Sequence, residues 1–133
     1  MKVEGGCHCG QLSFEAEINP DDVRICHCTD CQVLSGAAYR VNVKAPLAGF
    51  VLKSGTPKVY VKTAESGNKR AQAFCAECGS PIYAANAHNP EIYFLRVGTL
   101  SQRAALAPKR QIWCSAELPW AADIRSLERS ERA

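Results

Sequence analysis

Seven of the eight cysteines in this 133-residue chain fall into three groups, Cys7-x-Cys9, Cys26-x-Cys28-x-x-Cys31 and Cys75-x-x-Cys78. Thiolates at such spacing point to metal. Zinc takes four ligands in a tetrahedron, and a C-x-x-C followed by glycine, here Cys75-Ala76-Glu77-Cys78-Gly79, makes a tight turn that aims two sulfurs at one point. In Cys7-His8-Cys9 the alternate side chains of an extended strand share a face, so this pair converges as well. Two pairs make a closed four-sulfur site. The middle group supplies three sulfurs and leaves one zinc position without a local protein donor, and three ligands with an open position are the pattern of catalytic zinc. Two zinc ions are therefore expected: one structural, on Cys7, Cys9, Cys75 and Cys78, and one labile and catalytic, on Cys26, Cys28 and Cys31. Cys114, the eighth cysteine, reads as a small buried hydrophobe beside Trp113. In a competing reading it folds back as a fourth ligand and closes the second site. A single structural zinc with idle middle cysteines, and a disulfide framework, fit the spacing less well.

The histidines carry less. His8 and His27 each sit between two cysteines and, on a strand, point away from the face that carries the metal. His27 lies beside the open zinc position and is the candidate hydrogen-bond or proton donor there. His88 belongs to the Asn86–Pro90 turn. Arg40, Lys53 and Arg70 are candidates to meet a substrate carboxylate, although the simpler reading of each is a solvated surface charge.

These groups must be positioned by strands. Short β-type runs broken by Gly, Pro and Asn recur over Gln11–Glu17, Val23–Cys26, Tyr39–Lys44, Phe50–Lys53, Lys58–Thr63, Ala71–Phe74, Ile92–Val97 and Arg110–Trp113, which predicts a mostly β fold. In 11–18 the apolar residues occupy even positions, so one face packs inward. The best helix signal is Thr29 or Asp30 as N-cap to Cys31–Leu34, stopping at Gly36. That places Cys31 in a first turn, where free N–H groups favour its thiolate. Ala121, Ile124 and Leu127 suggest a second short helix before a charged tail. The aromatic residues, among them Phe14, Phe50, Tyr60, Tyr83, Tyr93, Trp113 and Trp120, are expected in the core.

Composition narrows the possibilities. At 133 residues one domain spanning 1–133 is expected, and 47% hydrophobic with 22% charged residues is the balance of a folded globular chain. No segment has the apolar length of a membrane span. The formal charge of +3 is cancelled if seven thiolates hold two zinc ions, and the basic residues are scattered, so nucleic acid is not expected as a partner. With no signal peptide read at the start and this many thiols to keep reduced, the cytoplasm is the expected location.

The chain resembles the glutathione-dependent formaldehyde-activating family, also called centromere-protein-V-like, over about residues 3–120. The matching residues are Gly6-Cys7-His8-Cys9-Gly10, Cys26-His27-Cys28-Thr29-Asp30-Cys31 with Ser35-Gly36-Ala37, Phe74-Cys75-Ala76-Glu77-Cys78-Gly79-Ser80-Pro81 and Gly98-Thr99-Leu100. The resemblance implies an Mss4-like zinc-bound β-sheet sandwich or barrel-like fold with one or two short helices. It also implies structural zinc on Cys7, Cys9, Cys75 and Cys78 and labile zinc on Cys26, Cys28 and Cys31, the same division as above. The implied activity is that of a zinc-dependent carbon–sulfur lyase or synthase joining glutathione, or a similar small thiol, to formaldehyde or a related aldehyde. The alternative is a non-catalytic zinc module that carries a thiol or metal or docks a protein partner. Two positions differ from many members, which carry Arg where this chain has Gln32 and Gln72.

Overall fold

The computed structural model describes all 133 residues. Three strands, β1 (Lys2–Gly6), β2 (Ser13–Glu17) and β5 (Phe50–Ser54), form a small sheet in the order β1-β2-β5. Seven others form a large one: β3 (Arg24–Cys26), β4 (Arg40–Pro46), β6 (Lys58–Thr63), β7 (Lys69–Phe74), β8 (Pro81–Asn86), β9 (Ile92–Arg96) and β10 (Arg110–Ile112). Their order is β10-β3-β4-β9-β8-β7-β6, antiparallel throughout except for β10, which runs parallel to β3. The mostly β, Mss4-like expectation holds. One α-helix is present, α1 (Thr29–Ser35), between β3 and β4, and it ends as expected with Gly36 in the left-handed conformation.

The sheets share one apolar core. Leu12, Phe14, Ala16 and Ile18 are all buried, as the even-position pattern requires, and they meet Val43, Ala45, Ile82 and Leu95 of the large sheet. Phe14 stacks on Phe50 at 5.3 Å between ring centroids, Phe50 sets its edge against Tyr93 at 4.9 Å, and Tyr93 stacks on Tyr83 at 3.9 Å. Each fully buried side chain of this size contributes roughly 1.5–3 kcal/mol. Phe14 also dictates its partner: it faces Gly5 across the β1–β2 ladder, where a Cβ would come within 2.4 Å of the ring. That close approach is why a residue of low β propensity sits in a strand.

Two strands lacked a local signal. β1 ends in two glycines, and β8 opens on Pro81 and carries Ala84 and Ala85 where a strand usually carries branched residues. β8 is nevertheless central, hydrogen-bonded to β7 on one side and β9 on the other, with Pro81 at the first position, where no ladder donor is needed. Other expectations are corrected. Residues 121–127 form turns and bends with no helix, since Ile124 and Leu127 are more than half exposed and find no surface to cover their stripe. Tyr60, Trp113 and Trp120 are likewise exposed and are not core residues.

Candidate metal centres

Cys7, Cys9, Cys75 and Cys78 come together although two of them lie at the start of the chain and two beyond its middle. The first pair does not lie on a strand, as its spacing suggested. β1 stops at Gly6, and Cys7 opens a turn closed by Cys7 N–H to Leu12 C=O at 3.0 Å and Gly10 N–H to Cys7 C=O at 3.2 Å. The second pair occupies the turn between β7 and β8, where Gly79 N–H donates to Cys75 C=O at 2.9 Å and Cys75 N–H to Ser80 C=O at 2.9 Å. Gly79 stands at φ 77°, a conformation that favours glycine, which explains the residue after the second sulfur. His8 N–H donates to Ser80 Oγ at 3.0 Å and holds the turns face to face.

The sulfurs sit at metal spacing. Cys7 Sγ is 3.5 Å from Cys9 Sγ, and Cys9 Sγ is 3.7 Å from Cys75 Sγ. A tetrahedron with zinc–sulfur bonds of about 2.3 Å has sulfur–sulfur edges of about 3.8 Å, whereas a disulfide needs about 2.05 Å. Leu12 N–H donates to Cys7 Sγ at 3.1 Å and Ser80 Oγ lies 3.2 Å from Cys78 Sγ, so both turns support thiolates. The hydrogen bond from Ser80 pulls the Cys78 thiol down to about 5. All four residues suit a tetrahedral thiophilic ion.

Cys26, Cys28 and Cys31 form the second cluster, at the end of β3 and the start of α1, with no fourth His, Cys, Asp or Glu atom in the group. Cys28 is the N-cap, a role expected of Thr29 or Asp30, and its Sγ accepts from Cys31 N–H at 3.3 Å. Cys31 therefore stands in the first helical turn, as anticipated. The Cys26 thiol is pulled down to about 5, chiefly because Cys31 hydrogen-bonds to its thiolate, and Cys31 is pushed up by that same bond and by burial. Without a cation the Cys26 thiolate is thus sheltered by Cys31, and a dication is what would release the Cys31 proton. Three sulfurs fit a tetrahedral ion that keeps one position open.

Cys114 does not complete this cluster, and it is exposed instead of buried. It follows Trp113, whose φ of 57° turns the chain outward after β10. Cys26 and Cys31 line a cavity of about 170 Å³ together with Arg24, Arg40, Arg70 and Arg96. Cys28 lines another, of about 380 Å³, with Trp113, Asp30 and Lys62. The Lys62–Asp30 ion pair belongs to both walls.

His27 points elsewhere. Its ring is 1% exposed, sets an edge against Tyr39, lies with Nε2 2.7 Å from Gln111 Oε1, and lines a cavity with Ile25 and Tyr39. That is the alternation expected of a residue between two cysteines. His8 is exposed. Gln32 ties the helix down, its Nε2 donating to His27 C=O at 2.9 Å and Ala116 C=O at 3.0 Å. Gln72 is buried against Arg40 and Arg96. Of the suggested carboxylate contacts, Arg40 and Arg70 reach the second cluster's cavity, while Lys53 pairs with Glu15 on the small sheet. Arg24 and Arg96 were not singled out from sequence. Their positions two residues before Cys26 and at the end of β9 acquire meaning only once β3, β4 and β9 are seen side by side.

The comparisons agree with this geometry. A Halomonas elongata protein provisionally named a glutathione-dependent formaldehyde-activating enzyme is 26% identical over 97 residues, 69% of this chain and 61% of its own. A Schizosaccharomyces pombe protein described as an uncharacterized lyase is 29% identical over 100 residues, 71% of this chain and 65% of its own. The chain thus spans less than two thirds of the length of these two relatives. A crystal structure of a Rhodobacter sphaeroides protein superposes with a TM-score of 0.63 at 23% identity, covering 81% of this chain and 98% of that one, which establishes a common fold. The sequence profile of the glutathione-dependent formaldehyde-activating enzyme family matches residues 2–116. Because that stretch contains all ten strands and both cysteine clusters, the chain belongs to the glutathione-dependent formaldehyde-activating enzyme family.

Proposed function

We propose that the chain is a zinc-dependent carbon–sulfur lyase or synthase that joins a small thiol, glutathione or a relative, to formaldehyde or a related aldehyde. The unequal donor count carries this reading. Four sulfurs close one site, whereas three sulfurs without a fourth donor stand where two cavities meet. Zinc on Cys26, Cys28 and Cys31 would supply a position at which an incoming thiol gives up its proton near neutral pH.

The chain's own residues do the rest. Cys7, Cys9, Cys75 and Cys78 fasten the small sheet to the β7–β8 turn and keep the scaffold in place. Cys26 and Cys31 would hold the ion against the arginine-lined cavity, and Gln32 holds α1 so that Cys31 stays in register with Cys26. The sulfur bonds to the carbonyl carbon, the C=O π pair moves onto oxygen, and that oxygen takes up the proton the thiol released, so thiol and aldehyde combine with nothing lost. His27, buried on the other side of β3, acts as a positioning residue. Eight unbridged thiols suit a reducing compartment such as the cytoplasm.

The test is exchange between formaldehyde and glutathione followed by NMR. The wild-type protein is expected to accelerate exchange and Cys28→Ser to lose at least tenfold of that acceleration. Equal rates would remove the enzymatic reading and leave a zinc module that carries a thiol or docks a partner.

A further inference from the structure

The cavity beside Cys26 and Cys31 holds four guanidinium groups and no free carboxylate. Arg40 and Arg96 are each 6% exposed, and neither they nor Arg24 and Arg70 take part in any of the six ion pairs of the chain. Arg40 and Arg96 converge on one neutral acceptor, Gln72 Oε1, at 3.3 and 2.7 Å, and Arg96 also donates to Asn42. The buried Nε atoms of Arg24, Arg40 and Arg96 have no partner. Arg24 and Arg70 are packed against one ring, 4.7 and 5.3 Å from the Phe94 centroid. Burial and the neighbouring cation Arg40 push Arg96 down to about 9.

Such an arrangement is costly unless something pairs with it. An uncompensated buried charge costs several kcal/mol, and each unmet donor about 1–3 kcal/mol. The Asp30 carboxylate in the same wall is taken by Lys62, and with a dication among the three cysteines their thiolates offer only a single net negative charge. The cavity's 170 Å³ is the volume of about six waters, enough for a two- to four-carbon fragment. Formaldehyde, small and neutral, has no use for four guanidiniums, whereas the planar donor fork of arginine matches a carboxylate. Leu34, Arg40, Gln72 and Arg96 also border a second cavity of about 440 Å³, which gives room for the remainder of a longer substrate.

We infer that Arg24, Arg40, Arg70 and Arg96 form a carboxylate-binding subsite, so that a substrate of this centre carries a carboxylate within a few bonds of its reacting atom. The inference rests on the proposed reading of the Cys26–Cys28–Cys31 cluster as the place where thiol and carbonyl meet. Two sources share this chemistry: the thiol can bear the carboxylate, or the carbonyl compound can be a short oxo acid. In the second case the thiol adds to the aldehyde carbon of the acid, with the same transfer of the thiol proton to the carbonyl oxygen.

Cobalt-substituted holoprotein tests it, because thiolate–cobalt absorption reports a sulfur entering the coordination sphere independently of turnover. Mercaptoacetate is compared with 2-mercaptoethanol by titration, and glyoxylate with glycolaldehyde by calorimetry. A carboxylated thiol is supported if mercaptoacetate binds at least tenfold more tightly than 2-mercaptoethanol. An oxo acid is supported if glyoxylate binds at least tenfold more tightly than glycolaldehyde. In either case Arg70→Gln, which leaves Arg40, Arg96 and Gln72 in place, should bring the charged and neutral probes to within threefold. Thiols that perturb cobalt without any charge preference in either pair, or inorganic phosphate binding more tightly than both carboxylates, would overturn the subsite and leave the site reading intact. No perturbation by any thiol would instead overturn the site reading, and the glyoxylate titration would still decide whether the arginines bind a carboxylate.

Discussion

Removing the four-sulfur site should destabilise the protein far more than removing the three-sulfur one, and the difference can be worked from the chain. Cys9 and Cys75 are 66 residues apart, so an ion that holds both closes a long loop and ties the small sheet to the large one. Treated as a cross-link, that closure is worth about 4 kcal/mol through the entropy it removes from the unfolded chain. The three-sulfur cluster closes a loop of only five residues, between Cys26 and Cys31, worth about 2 kcal/mol at most by the same relation. With an unfolding entropy near 2.1 cal/mol/K per residue over 133 residues, 4 kcal/mol corresponds to a fall of about 15 °C in Tm and 2 kcal/mol to about 7 °C. The perturbations are Cys75→Ala with Cys78→Ala and, separately, Cys28→Ala with Cys31→Ala. Each is melted by circular dichroism with zinc and after chelation. The 75/78 variant should start low and gain little from zinc, while the 28/31 variant should keep most of the zinc-dependent increment. If the two melt alike, or if the 28/31 variant is the one that loses its response to zinc, the assignment of structural and substrate-receiving roles is wrong.

Three other outcomes are expected. Gly5→Ala drives a methyl into the Phe14 ring and should cost about 1–3 kcal/mol, read as a lowered urea midpoint. An unchanged midpoint would contradict the β1–β2 register. Burial, followed by the contact with Tyr93, holds the Tyr83 phenol above its ordinary range, so the folded chain keeps a proton that the unfolded chain releases above about pH 10. The contribution is fully present below that pH and declines as pH rises, and Tyr83→Phe should flatten this alkaline loss of Tm; an identical slope in both proteins would refute it. His27→Phe breaks the bond to Gln111 and should cost about 1–3 kcal/mol while leaving the pH profile of exchange unchanged in shape. Loss of a limb of that profile would make His27 a proton donor after all.

Much of the site was legible because cysteine spacing is local chemistry. The pairs at 7/9 and 75/78 and the trio at 26/28/31 could be divided four and three from donor counts alone, and the structure groups them that way. The backbone that presents the first pair was misjudged, since a strand and a turn can both bring two sulfurs to one point and spacing does not distinguish them. β8 was missed because its alanines are chosen for a crowded central position, a requirement set by β7 and β9 and not by its own propensity. The C-terminal stripe failed for the opposite reason: periodicity was present and the surface to receive it was not. The arginines were the least legible. Arg24, Arg40, Arg70 and Arg96 come from four different strands, and no window along the chain contains more than one of them with a cysteine they serve, apart from Arg24 before Cys26.

The cap at the head of α1 has its own consequence. One sulfur atom, Cys28 Sγ, both starts a seven-residue helix and belongs to the trio that faces solvent-filled space. A reagent that alkylates or oxidises this atom removes an acceptor from the first turn and leaves Gln32 and the Asp30–Lys62 pair to hold the helix. Leu34, near its far end, lines the walls of two cavities that Cys28 does not touch, so any shift of α1 that starts at this single thiol is carried to both.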